Sequence, residues 1–235
     1  MSKIALITGG AKRIGKHLAI AYAKQGYDIA LHVGKSDGSS TVKEIEKLGQ
    51  RAKIFPANLQ NSKEVENLLT TVIESFGTPE VLINSAAVFD RGIIQQTNAD
   101  LLVKEFSINF FAPFLLSRDF YQYCKRGHIL NFLDTSIQTI RTKYSAYLLS
   151  KKALAEFTKM AAYEFAPHIR VNAISPGPIL PPADKDESYF KKVGKTTLLQ
   201  RTGNPDHIVQ AALFLQNHDY ITGQILHVDG GGYAL

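Results

Sequence analysis

Apolar residues along this chain fall into two alternating patterns. A short unbroken run comes first, Ile4–Ile7, and strand-like runs recur at Asp28–Val33, Ala52–Phe55, Val81–Ile83, His128–Leu133, Arg170–Ile174 and Ile225–Val228. Runs of that length suit strands buried on both faces of a parallel sheet. Between them, apolar positions recur every three or four residues. Ile14, Leu18, Ala21 and Tyr22 follow the first run at helical spacing and stop near Gly26. Further helical stretches cover roughly 40–49, 62–76, 99–123, 145–166 and 205–217. Alternation of this kind predicts an α/β fold: a Rossmann-like, doubly wound parallel sheet in a single domain, 1–235. No internal repeat or linker divides it. One irregular stretch, Ile179–Thr197, is rich in proline and charge and reads as a short substrate lid.

Composition supports one large core, with 45% hydrophobic and 20% charged residues in 235. A single cysteine, Cys124, permits no internal disulfide and offers no paired thiols for zinc. No metal site is expected, and a reducing, cytoplasmic setting is. The opening MSKIALITGG reads as a first strand rather than a secretion signal. The uncharged run Phe106–Ser117 is far shorter than the ~20 apolar residues that span a bilayer, so no membrane partner is expected. The net charge is +6, but the lysines are scattered rather than gathered in a stripe, which argues against nucleic acid. A basic field suits capture of a polyanionic cofactor.

The chemistry sits in the loops after the strands. TGGAKRIG, residues 8–15, follows the first strand and opens the first helix. Glycines there let the backbone approach a pyrophosphate, whose charge lies against the helix N-terminus. Gly9 and Gly15 hold the turn, while Arg13 stands where a third glycine is expected. Its guanidinium suits a phosphate or a bound substrate. The second strand ends in LHVGKS, with no acid to hold a ribose 2′-hydroxyl; Lys35 and Ser36 favour a 2′-phosphate, although Asp37 stands close by. Asn58 and Leu59, after the third strand, are candidates to line an adenine pocket. Tyr147 and Lys151 form a Tyr-x-x-x-Lys pair on one helix face, and Asp134 lies thirteen positions upstream of the tyrosine. The lysine ammonium is expected to lower the phenol pKa from its reference of about 10, giving a proton donor for neutral pH.

Together these residues resemble the short-chain dehydrogenase/reductase family along essentially the whole chain. NSAA (Asn84–Ala87), Asn109 in SINFFAP, SPGPI with Pro176 and Gly177, and VDGG (Val228–Gly231) match its motifs in order. Finer features resemble its pteridine reductase branch, including dihydromonapterin and dihydrofolate reductase-like members: Arg13 in the glycine turn, Asp134 in place of the catalytic serine, and Phe89 after the Asn-Ala segment. Asn58 departs from the aspartate of many relatives, and Ala87 from a serine found in some. Ser136 is the other candidate for the serine role, but it lies only eleven residues before Tyr147.

The resemblance implies NADPH as cofactor, held by Gly9, Arg13, Ile14, Gly15, Lys35, Ser36, Asn58, Leu59, Ser85, Ala86, Tyr147, Lys151, Pro176, Gly177 and Ile179. It implies catalysis by Asp134, Tyr147, Lys151 and Asn109, with Asn109 holding a water that links Lys151 to solvent. Arg13, Phe89, Asp134, Tyr147 and Leu180 would meet the substrate, Phe89 stacking on a flat ring. An ionised aspartate only accepts hydrogen bonds, which suits a ring bearing N–H groups better than a carbonyl oxygen. The expected reaction is reduction of a dihydropterin or dihydrofolate to the tetrahydro form. A carbonyl reductase acting on a 3-oxoacyl or sugar substrate is the alternative within the family, and a non-catalytic dinucleotide sensor the alternative outside enzymes. Apolar faces on the helices around 99–123 and 145–166, which relatives commonly pair, predict a homotetramer.

Overall fold

The computed structural model describes residues 3–140, 142–181 and 187–232, without the side chain of Glu187. Seven parallel strands form one sheet in the order β3-β2-β1-β4-β5-β6-β7. They are β1 (Lys3–Ile7), β2 (Tyr27–Val33), β3 (Ala52–Pro56), β4 (Val81–Asn84), β5 (Gly127–Phe132), β6 (Ile169–Pro176) and β7 (Ile225–Val228). Each predicted strand is present, shifted by at most two residues at an end. β2, with neighbours on both sides, is buried at every position, whereas edge strand β3 buries only Phe55.

Helices cover both faces, which is why the strand sequences lack alternation. On one side α1 (Arg13–Lys24), α2 (Ser39–Glu46) and α8 (Pro205–Asn217) pack Leu18, Tyr22, Ile45, Ile208 and Leu215 against Ile7, Ile29 and Ile83. On the other, α3 (Ser62–Ser75), α5 (Ala112–Cys124) and α6 (Ser145–Phe165) pack Leu69, Leu116, Phe120 and Leu154 against Leu6, Leu82 and Ile129. Each such side chain contributes about 1.5–3 kcal/mol by leaving water. The winding reverses between β1 and β4, so the loops leaving their C-terminal ends diverge and open a crevice there.

Two sequence expectations change. The helix expected to run unbroken over 99–123 is instead α4 (Ala99–Phe106), a π-helical turn (Ser107–Phe111) and α5. Pro113 has no N–H to return to the carbonyl of Asn109, so the α-helical ladder fails there and a wider turn takes over. The lid expected over Ile179–Thr197 contains a helix, α7 (Glu187–Gly194); its residues 182–186 lie outside the described residues. Among the described residues, no helix is long and apolar enough to cross a membrane.

Candidate active site

A cleft of about 1110 Å³ lies at the C-terminal ends of the strands. Every residue predicted for cofactor or substrate lines it: Gly9, Arg13, Ile14 and Gly15 from the glycine turn, Lys35 and Ser36 after β2, Asn58 and Leu59 after β3, Ser85, Ala86 and Phe89 after β4, Asp134 after β5, Tyr147 and Lys151 on α6, and Pro176, Gly177, Ile179 and Leu180 after β6. Asn109 stands just behind this wall, fully buried.

The glycine turn is built by close contact. A side chain on Gly15 would stand 2.3 Å from the Gly9 carbonyl, and one on Gly9, at φ +66°, would meet Ala86 at 3.0 Å. Thr8 ties this turn to the segment after β4, its hydroxyl accepting from the amides of Ser85 (3.0 Å) and Ala86 (3.1 Å). No side chain caps the N-terminus of α1 and no acid sits in its first turn. The donors left over there fit an anionic group such as a pyrophosphate. Arg13 takes the left-handed conformation, φ 53°, and its guanidinium donates across the cleft to the Pro181 carbonyl at 3.0 Å. It thereby joins the turn to the start of the lid.

His32 was not singled out from the sequence, yet it organises the adenosine end of the cleft. Its Nδ1 accepts from the Gly9 amide at 3.2 Å, and its Nε2 faces the Ala57 carbonyl at 3.1 Å. Those two roles require a neutral ring with the proton on Nε2, and burial lowers the His32 pKa accordingly. The only sequence signal was a histidine near the end of a strand-like run. Asp37, two residues beyond Lys35, turns away: its carboxylate accepts from the Ser39 amide (2.9 Å) and hydroxyl (2.6 Å). Asn58 is engaged in its own turn, its side-chain oxygen accepting from the Gln60 amide, while its backbone amide donates to Glu64 at 2.7 Å.

The catalytic candidates converge. Tyr147 Oη donates to Asp134 Oδ2 at 2.9 Å, and Asp134 Oδ1 accepts from the Ser136 amide at 2.7 Å. Lys151, one helical turn beyond Tyr147 and only 2% exposed, donates to the Phe132 carbonyl at 2.7 Å. The expected lowering of the Tyr147 pKa is corrected. Burial above all, then the charge and hydrogen bond of Asp134 and the charge of Glu105, hold the phenol well above its ordinary value. Burial instead lowers Lys151 to about 8, against the opposing charges of Asp134 and Glu105. Tyr147 is thus a firmly protonated donor, and Lys151 is the group that titrates near the working range. A cationic Lys151 stabilises the phenolate that forms as Tyr147 gives up its proton, so activity in reduction should be full below pH 8 and fall as pH rises through it. A pH profile of kcat/KM checks this; a plateau extending to pH 10 contradicts it.

Asn109 occupies the π-helical turn. Its side-chain oxygen accepts from the Val88 amide at 3.0 Å, and its Nδ2 donates to the Val88 carbonyl (3.1 Å) and to Glu105 (2.6 Å). Both amide hydrogens are thereby used within the protein. Phe89 is 52% exposed rather than a core aromatic. It stacks on Tyr144 (4.1 Å between centroids, 15°) and meets the Tyr147 ring edge-on at 4.6 Å. Tyr144 and Glu105 were missed in the sequence; each stands a few residues before a recognised motif residue, Tyr147 or Asn109, with no local pattern of its own.

Comparison with known proteins agrees with this geometry. Residues 9–233 match the family described as enoyl-(acyl carrier protein) reductase. The chain belongs to the short-chain dehydrogenase/reductase family. It is an oxidoreductase of that family. An uncharacterized oxidoreductase of Bacillus subtilis, YhdF, is 33% identical over 98% of this chain and 83% of its own length. The NADPH-dependent aldehyde reductase 1 of Arabidopsis thaliana chloroplasts is 31% identical over 97% of this chain and 85% of its own. Among solved structures, the alternative dihydrofolate reductase 1, FolM, of Brucella canis, complexed with NADP, superposes with a TM-score of 0.94 at 28% identity, covering 99% of this chain and 94% of that one.

Proposed function

We propose that this protein is an NADPH-dependent reductase of a dihydropterin or dihydrofolate. The observation that carries the reading is the hydrogen bond from Tyr147 to Asp134, a carboxylate standing where the family's serine would be. A serine hydroxyl would donate to a carbonyl oxygen, whereas a carboxylate repels one and accepts from ring N–H groups. NADPH, which the glycine turn, Lys35 and Ser36 would hold, would supply the hydride for the carbon of a ring C=N bond. The matching proton reaches the nitrogen from Tyr147, whose hydroxyl is held by Asp134, and Lys151 offsets the charge left on the phenolate. Phe89, stacked on Tyr144 and still half exposed, offers an aromatic wall for a flat bicycle. Arg13 would meet the ring's carbonyl edge, and Leu180 the 6-substituent at the lid. The likeness to the Brucella enzyme supports the same reading. Competition tests it: a 2,4-diaminopteridine should inhibit turnover competitively against the reducible substrate. A cleft indifferent to such flat heterocycles would point to the second reading, an aldehyde or ketone reductase, which the Arabidopsis relative favours.

The cofactor preference rests on Lys35 and Ser36 facing the cleft while Asp37 is turned into its own loop. Lys35→Ala should cost roughly 1.5–3 kcal/mol of NADPH binding, about tenfold to a hundredfold, and leave NADH use unchanged. Steady-state kinetics with both cofactors measures it; equal use of NADH by the parent protein would defeat the assignment. A homotetramer accounts for the apolar side chains exposed along α5 and α6 and the turn before them, including Phe111, Phe114, Leu149 and Met160. Sedimentation should give a tetramer at micromolar concentration, and a monomer there would rule it out.

A further inference from the structure

Glu105 is a buried acid that the proposed chemistry leaves unused. It sits at the end of α4, is completely inaccessible to solvent, and has no cation bonded to its carboxylate among the described residues. Its Oε1 accepts from the Asp90 amide at 2.7 Å and its Oε2 from Asn109 Nδ2 at 2.6 Å. Asn109 in turn holds both the amide and the carbonyl of Val88. Phe89 lies between the two residues so gripped. Two residues further on, Gly92 pairs with the start of α6, accepting from the Ser145 amide and donating to the Lys143 carbonyl, each at 2.9 Å. That pairing carries Tyr144, the stacking partner of Phe89.

We infer that Glu105 is a positioning residue for substrate specificity: through the Asp90 amide and the Asn109 side chain it clamps both neighbours of Phe89, and so fixes the aromatic wall on which a planar substrate stacks. The inference rests on the reading of Phe89 as the substrate's stacking partner. Only an acceptor fits the place. An ionised carboxylate has no hydrogen to offer, so Nδ2 of Asn109 must face it, and the Asn109 oxygen is left to take the Val88 amide. An amide at position 105 would set N–H against N–H at one of the two bonds, or let Asn109 turn over. A buried carboxylate is expensive, which argues for a task beyond filling space. Burial does push the Glu105 carboxyl above its ordinary range.

Two measurements test this. Amide hydrogen exchange on the parent protein should show the Asp90 and Val88 amides protected, although both lie in an irregular segment; Glu105→Gln should reduce protection at Asp90 or at Val88 at least tenfold, according to which bond the mismatch breaks. This arm needs no substrate, so it stands even if no pterin is turned over, and its parent-protein result stands even if the variant does not fold. In the kinetic arm, Glu105→Gln should raise KM for 7,8-dihydropterin about tenfold while lowering kcat less. In a Phe89→Ala background the same change should add nothing to KM, because the wall it positions is gone. An Asp90 amide that exchanges freely in the parent protein, or KM effects that simply multiply in the double variant, would overturn the inference.

Discussion

Asp134→Asn is expected to lower kcat by about 10²–10⁴-fold while leaving NADPH affinity unchanged. The substitution keeps the size of the side chain and one acceptor oxygen. That oxygen can serve the Ser136 amide or the Tyr147 hydroxyl, but not both, and the other half of the side chain becomes a donor. An amide N–H pointing at Tyr147 reverses the hydrogen bond that aligns the phenol. It also removes the acceptor that ring N–H groups of a pterin would meet. The cofactor half of the cleft, from the glycine turn to Lys35, is untouched, so binding of NADPH by fluorescence or calorimetry should be unaltered. Near-parental turnover would reduce Asp134 to a turn residue whose task is to cap the short 3₁₀ turn at Thr135–Gln138.

Tyr147→Phe should impose a loss of the same order, because it removes the hydroxyl that donates to Asp134. The more telling measurement is the double variant. Two groups that deliver one proton act as a unit, so Asp134→Asn combined with Tyr147→Phe should be hardly slower than the worse single variant. Losses that multiply would show that the two residues contribute to separate steps. Because Tyr147 stays protonated far into alkaline solution, the parent protein's activity should respond to pH through Lys151, and this response should persist in Asp134→Asn but move to lower pH, since the charge that holds Lys151 up is gone.

The fold was legible because its strands are buried on both faces. Unbroken runs such as Ile4–Ile7 can be accommodated in few other ways, and the helical spacing between them set the alternation. The cleft was legible for a related reason: the motifs fall in the loops after the strands, and the sheet's reversal between β1 and β4 gathers those loops. Interactions between distant segments were not legible. The π-helical turn depends on Pro113 together with side-chain bonds from Asn109 to Val88 and Glu105. His32 acquires its place only when Gly9 and Ala57 come to either side of it. The direction of the Tyr147 shift was misjudged because spacing revealed the lysine but not the burial. Desolvation and an adjacent carboxylate outweigh the ammonium, whose own bond goes to the Phe132 carbonyl.

The measurement that bears most directly on the central claim is NADPH oxidation by the purified protein, presented separately with 7,8-dihydropterins, dihydrofolate, and simple aldehydes and ketones. Efficient turnover of at least one of the reduced heterocycles, with kcat/KM well above that for any carbonyl compound, is the predicted result. Ready reduction of ketones or aldehydes with no turnover of any dihydropterin or dihydrofolate would contradict it, leaving a reductase whose aspartate serves some other substrate.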